Sequence, residues 1–247
     1  MQIENVKLKL KITNVNKNFT FFLFTIIFLL VLVGVLGFLL RPQNKDESVF
    51  AVGGVVPHHL LAGGLIDSFF EKLSFQNPKR IILLGPDHGD FTPEVKSLTP
   101  RGWNKEHSIT NITPFIKKYL PDATISPIVL SNKMGLSEIE DLAEVLSKKI
   151  DKDTVLIASV DFSHYLKEQE AEENDKKTLE IIKNFDYQSL LALNSDYLDG
   201  PAPIAVLLKT MQKTGHNNFE VSNHTNSSQL MGNSFNEITS YFVIKFY

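Results

Sequence analysis

The sequence predicts an α/β fold: a three-layer α/β/α domain around a mixed, largely parallel central sheet, preceded by one N-terminal transmembrane helix. Three observations carry this. Apolar runs suited to strands buried on both faces recur at 51–56, 81–85, 123–130 and 154–160. Stretches with apolar residues at helical spacing separate them, the alternation expected of βαβ units. Finally, three of the runs stop at a turn that bears histidine: Pro57-His58-His59, Gly85-Pro86-Asp87-His88 and Asp161-Phe162-Ser163-His164. In an open parallel sheet the loops beyond the carboxyl ends of the strands line the ligand crevice, so these turns are placed for chemistry.

The segment Phe19–Leu40 holds 22 residues without a charge, and a helix needs about 20 to cross a hydrocarbon core of about 30 Å. It runs directly into Arg41-Pro42 with no small-residue cleavage pattern, which reads as an uncleaved signal anchor. Lys7, Lys9, Lys11 and Lys17 precede it against Glu4 alone, so the positive-inside rule predicts residues 1–18 as a cytoplasmic tail and the rest as extracytoplasmic. Residues 41–49 are a polar linker, and 50–247 form one domain large enough for a sizeable core. Six of the chain's 25 basic and three of its 28 acidic residues lie before Phe50, leaving 19 and 25 in the domain, a net charge of −6. That sign excludes nucleic acid as an expected partner. There is no cysteine, which excludes disulfides, thiolate ligands and a cysteine nucleophile.

Ala51–Val56 is the first predicted strand, with Gly53-Gly54 permitting close approach of a neighbour. Leu60–Phe75 follows as a helix, its apolar positions Leu61, Leu65, Phe69 and Leu73. Ile81–Gly85 completes the first βαβ unit, which brings His58 and His88 to one edge. Residues 91–107, with the only tryptophan, Trp103, read as a loop over the site. Ser108–Leu120 reads as one helix stopped by Pro121, and Ala123–Leu130 as a strand. Ser137 with Glu140 suits a capping box, followed by the stripe Ile139, Leu142, Val145, Leu146 and Ile150. Thr154–Val160 is the next strand. Glu168–Phe185, rich in charge, reads as a solvent-facing helix, and Tyr187–Leu193 as a shorter one. Asp199-Gly200-Pro201-Ala202-Pro203 opens a helix from about Ile204 to Lys213. Asn218–Asn223 and Ser240–Phe246 close the sheet.

Imidazole is the commonest protein metal ligand and carboxylates complete many such sites. His58, His88 and His164 at one rim, with Asp87, Asp161 and Asp199 nearby, point to a divalent metal. His107, in Glu106-His107-Ser108, is either a solvent-facing residue at a helix start or an acid-base group supporting the site. His59, His216 and His224 carry no motif. The absence of Gly-x-Ser-x-Gly disfavours Ser163 as a nucleophile.

Taken in order, Val56-Pro57-His58, Gly85-Pro86-Asp87-His88, Glu106-His107-Ser108-Ile109, Asp161-Phe162-Ser163-His164-Tyr165, Asp199-Gly200-Pro201-Ala202-Pro203-Ile204 and Ser227-Ser228-Gln229 resemble the Memo family, also called AmmeMemoRadiSam system protein B. The resemblance implies a fold similar to class III extradiol dioxygenases and a link to iron or copper and redox chemistry. It implies His58 and His88 as two metal ligands. The third family ligand, a cysteine, is replaced here by Asp199, so that two imidazoles and one carboxylate match the facial triad of non-haem Fe(II) oxygenases. The chain also has His59-Leu60-Leu61 where Ala-Gly-Tyr is common in the family, Gly89 where a second histidine follows the first, and Ile112 in place of a further histidine. The expectation is a membrane-anchored metal-binding protein, a non-haem iron or copper oxidoreductase acting on a small substrate. His164 oriented by Asp161, together with His107, would transfer protons or support the ligands. A non-enzymatic module holding a protein partner and a metal-dependent hydrolase are the competing classes.

Overall fold

The computed structural model describes residues 50–89 and 105–247. The expected tail 1–18, transmembrane segment 19–40 and linker 41–49 lie outside these, as does 90–104, most of the expected loop with Trp103. Among the described residues no helix is long and apolar enough to cross a membrane. In chain order the elements are β1 (Gly53–Val56), a 3-10 turn (Leu60–Ala62), α1 (Gly63–Ser74), β2 (Arg80–Pro86), α2 (His107–Thr110), α3 (Thr113–Tyr119), β3 (Thr124–Leu130), α4 (Leu136–Ser147), β4 (Thr154–Ser159), α5 (Glu168–Lys183), α6 (Tyr187–Leu191), α7 (Pro201–Thr214), β5 (Phe219–Asn226), α8 (Ser227–Met231) and β6 (Ser240–Phe246).

The strands form one mixed sheet of order β3-β2-β4-β1-β6-β5. β3, β2, β4 and β1 are parallel, and β6 and β5 add on antiparallel. Because strand side chains alternate, the sheet separates two cores. Ile82, Leu84, Leu156, Ala158 and Ile244 pack on one face with Ile139 and Leu146 of α4 and Leu207 of α7. Ile81, Leu83, Val155 and Ile157 pack on the other with Phe69, Phe70 and Leu73 of α1, Ile109 of α2 and Ile116 of α3. Burial of both faces explains why these strands are unbroken apolar runs.

Several expectations shift locally. Helix α1 buries Ile66, Phe69, Phe70 and Leu73, whereas Leu61 belongs to the preceding 3-10 turn. The single helix expected over Ser108–Leu120 is two, broken at Asn111-Ile112. Asn111 donates its side-chain amide to the His58 carbonyl at 3.0 Å, and Pro114 then sits in the first turn of α3, where a missing N–H is tolerated. The box at α4 uses Gly135 and Glu138, whose carboxylate accepts the Gly135 N–H at 2.7 Å. The expected partner Glu140 instead pairs with Lys209 and Lys213 of α7, and Val145 is exposed. α5 is not purely a surface helix, for Ala171, Asp175, Thr178 and Ile182 are buried. α7 starts at Pro201, β5 extends to Asn226, and α8 is an addition the sequence reading lacked.

Candidate metal centre

Parallel register builds the site. Val56 pairs with Ser159, and Leu84 with Ala158, so the residues just beyond β1, β2 and β4 leave along one sheet edge. Those residues are His58, His88 and Asp161. Asp199 joins them from the turn before α7 through a hydrogen bond from its N–H to the Asp161 carbonyl at 3.1 Å. Two glycines make the approach possible. A Cβ on Gly85 would collide with Ser108 Oγ, and one on Gly200 with Pro86, so α2 and the Asp199 turn can lie against the end of β2 only because both are glycine.

Asp199 Oδ2 lies 3.0 Å from His58 Nε2 and 3.3 Å from His88 Nε2. Each imidazole has its other nitrogen turned back: His58 Nδ1 toward the Ser159 carbonyl at 3.3 Å and His88 Nδ1 toward Glu106 Oε1 at 2.8 Å. That is how proteins fix ligand imidazoles, since a held Nδ1–H frees Nε2 for a metal. Glu106, only 1% exposed, also accepts the His88 and Ser108 N–H groups at 3.0 and 3.1 Å. His107 stands beside the pair, its ring 4.0 Å from that of His88 and 5.0 Å from that of His58. One ring nitrogen of each of His58, His88 and His107 lies within 4.8 Å of the other two, and donor atoms of His58, Asp161 and Asp199 meet the same limit.

Electrostatics follow from burying two acids among imidazoles. Burial alone would raise the Asp199 pKa, but His58 and His88 override it and hold the carboxyl well below the usual range. Burial, reinforced by the Asp199 charge and opposed by His58, raises that of Asp161. Burial acts to lower both His58 and His88, yet the adjacent acids prevail: Asp161 and Asp199 raise His58, and Asp199 and Glu106 raise His88 to about 10. Glu106 is drawn down to about 2 despite its burial, chiefly by the hydrogen bond from His88. His107 is lowered by burial and then by the charges of His88 and His58.

Among the described residues three buried polar side-chain atoms have no hydrogen-bond partner: Asp199 Oδ1, His164 Nδ1 and Tyr241 Oη. His164 and Tyr241 both act electrostatically on or from Asp161. Burial, then Asp161, raises the Tyr241 phenol. His58, His88 and Asp199 would hold a divalent metal by two neutral nitrogens and one carboxylate, and such an ion would also give the orphaned Asp199 Oδ1 a partner.

The structure therefore gathers His58, His88, His107, Asp161 and Asp199. His164 stands on the Asp161 flank without a hydrogen bond to it, its Nδ1 unpartnered, and Asp161 Oδ1 accepts the His58 and His59 N–H groups at 2.9 and 3.4 Å. Asp87 is buried at the end of β2, its N–H bonded to the Leu130 carbonyl. Ser163 donates to Asp175 at 2.7 Å. His59 accepts the Leu61 N–H and stacks on Tyr241, and His224 bonds Asp175 at 2.7 Å. Glu106 and Tyr241 are the contributors that sequence reasoning missed.

A Memo-like protein family model matches residues 90–242. The chain belongs to the Memo family. MEMO1 family proteins similar to it include those of Methanosarcina acetivorans, 32% identical over 228 residues covering 77% of this chain and 83% of that one, and Methanobrevibacter smithii, 31% over 199 residues covering 77% and 69%. That of Pyrobaculum aerophilum is 24% identical over 237 residues, covering 80% and 84%. The Memo match takes in Glu106, His107, Asp161, His164 and Asp199, while His58 and His88 precede it. Memo membership is consistent with the relation to class III extradiol dioxygenases that the resemblance implies.

Proposed function

We propose that this Memo protein is a metal-dependent oxidoreductase of the non-haem dioxygenase type, taking Fe(II) or copper on His58, His88 and Asp199 and acting on a small molecule. One observation carries the reading: two imidazole Nε2 atoms converge on a single buried carboxylate oxygen at 3.0 and 3.3 Å, with each opposite nitrogen held from behind. A carboxylate with two imidazoles suits Fe(II), and bound there the ion would supply redox chemistry and a Lewis acid. The protein's own groups supply the rest. Asp161 fixes the His58 backbone through Oδ1. His164 Nδ1 and Tyr241 Oη, buried and unsatisfied, are available to accept and donate hydrogen bonds to a substrate. His107, half exposed, is placed to exchange protons with solvent.

The test is anaerobic purification without added metal, metal analysis, and dioxygen uptake by the Fe(II)-loaded protein over a panel of small aromatic diols and other reductants. About one iron per chain and substrate-dependent uptake, lost in His58→Ala and His88→Ala, are expected. Hydrolysis without oxygen uptake would convert the reading to a metal-dependent hydrolase, and absence of metal binding would leave a binding module.

We further propose that residues 19–40 anchor the protein in a membrane with the N-terminus cytoplasmic and the domain outside. Support comes from the uncharged run of 22 residues and the four lysines against one acid before it. Protease added to intact cells should digest the domain, and a protected domain would reverse the assignment.

A further inference from the structure

The metal reading above gives His107 only proton exchange with solvent, and its surroundings point to a different task. An exposed residue opening a short helix needs no special company, yet this one is packed against both expected ligands. Its ring lies 5.0 Å from that of His58 and 4.0 Å from that of His88. One nitrogen from each of the three rings falls within 4.8 Å of the others. A metal bonded to imidazole nitrogen at about 2.1 Å requires donors no more than about 4.2 Å apart, so a shift of a few tenths of an ångström closes the set.

Glu106 provides the second observation. Its Oε1 lies 2.8 Å from His88 Nδ1 and 3.3 Å from His107 Nδ1. One buried carboxylate oxygen thus faces the same nitrogen of two rings, the arrangement that holds a ligand imidazole in the tautomer whose Nε2 binds metal. Because Glu106 also takes the His88 and Ser108 N–H groups, it fixes α2, and with it His107, to the end of β2.

We propose that His107 is a fourth ligand, so that the centre holds its metal by three imidazoles and one carboxylate. This rests on the metal reading and deepens it. A six-coordinate ion held by three protein groups has three exchangeable positions, whereas one held by four has two. That limits how many atoms a substrate can bring to the ion.

The experiment uses Cu(II) as a probe in the full chain, counting coordinated imidazoles by electron spin-echo envelope modulation. Wild type should show three and His107→Ala two, with Cu(II) affinity at least about tenfold weaker. Glu106→Gln should keep three but weaken binding about 10- to 100-fold, the range found when groups orienting ligands are lost. His88→Ala is the control that also falls to two. Since His107 is half exposed, His107→Ala should keep the metal-free circular dichroism, and His107→Gln repeats the count if it does not. Two imidazoles in wild type, unchanged in His107→Ala, overturn the proposal while leaving the metal reading intact. Failure of wild type to bind copper or iron overturns both.

Discussion

The resemblance to the Memo pattern puts Asp199 where that pattern has cysteine, and the residue before a proline-started helix is also a natural cap. The structure does not support the cap. Gly200 is the residue flanking α7, with no side-chain cap, and the Asp199 carboxylate is turned to His58 and His88 instead. A harder oxygen donor favours Fe(II) over Cu(I), which prefers sulfur. Asp199→Cys should therefore move preference from iron toward copper in a competition of Fe(II) and Cu(I), and an unchanged preference would remove Asp199 from the ligand set. The same residues give the metal-free protein a pH signature. His88 has a folded pKa of about 10 above its ordinary 6.5, so its contribution is complete below about 6.5 and is lost as pH rises toward 10. Glu106, at about 2 below its ordinary 4.5, contributes fully above about 4.5 and loses that as pH falls. Unfolding with chelator present should show greatest stability between about pH 4.5 and 6.5, and Glu106→Gln should flatten both flanks; superimposable profiles would refute the coupling. The two histidines were legible because each follows a strand end, whereas Asp199, which precedes Gly200-Pro201, was legible as a ligand only through the resemblance to the family's third ligand position. Glu106 was not, since nothing local ties it to His88, 18 residues earlier. Tyr241 was hidden in an ordinary strand alternation.

Helix α5 shows how an element can be typed correctly and its role missed. Its dense charge suggests a solvent-facing surface, yet Ala171, Asp175, Thr178 and Ile182 recur at helical spacing and are all buried. An aspartate in that row masks the stripe. Asp175 Oδ1 accepts the hydroxyls of Ser163 at 2.7 Å and Ser240 at 2.8 Å, and Oδ2 meets His224 Nε2 at 2.7 Å. It thereby ties the loop bearing Asp161 and His164 to the start of β6, beside Tyr241. Removing an acceptor from buried donors is among the costly substitutions. Asp175→Ala should cost about 3 kcal/mol in urea unfolding, while Glu172→Ala, on the exposed face of the same helix, should stay within about 0.5 kcal/mol. Equal effects would mean that the network contributes nothing beyond charge. The break between α2 and α3 has a similar lesson. The periodicity of 108–120 is helical, but Asn111 leaves the pattern to hold the His58 carbonyl, a tertiary demand with no local mark.

At the scale of the molecule, the alternation of apolar strands and amphipathic helices sufficed for the mixed sheet, because right-handed βαβ crossovers leave few arrangements. The antiparallel direction of β6, buried through nearly all its length, and of β5, as well as the pairing order, needs the structure. The core and the candidate metal centre are energetically separate. Dozens of buried apolar side chains fill the two faces of the sheet, each contributing roughly 2 kcal/mol, while the site lies beyond the strand ends and its ligands add little apolar burial. A bound metal should therefore stabilise by mass action without being required for folding. At a hundredfold excess over its dissociation constant it adds about 2.7 kcal/mol, which for a unit of this size corresponds to a Tm rise of about 5–10 °C. Chelation should reverse that rise with far-UV circular dichroism unchanged at 25 °C, re-addition of Fe(II) should restore it, and Asp199→Asn should show a much smaller response to either. Loss of secondary structure on chelation would instead make the metal part of the fold, placing its ligands among the groups that specify the sheet.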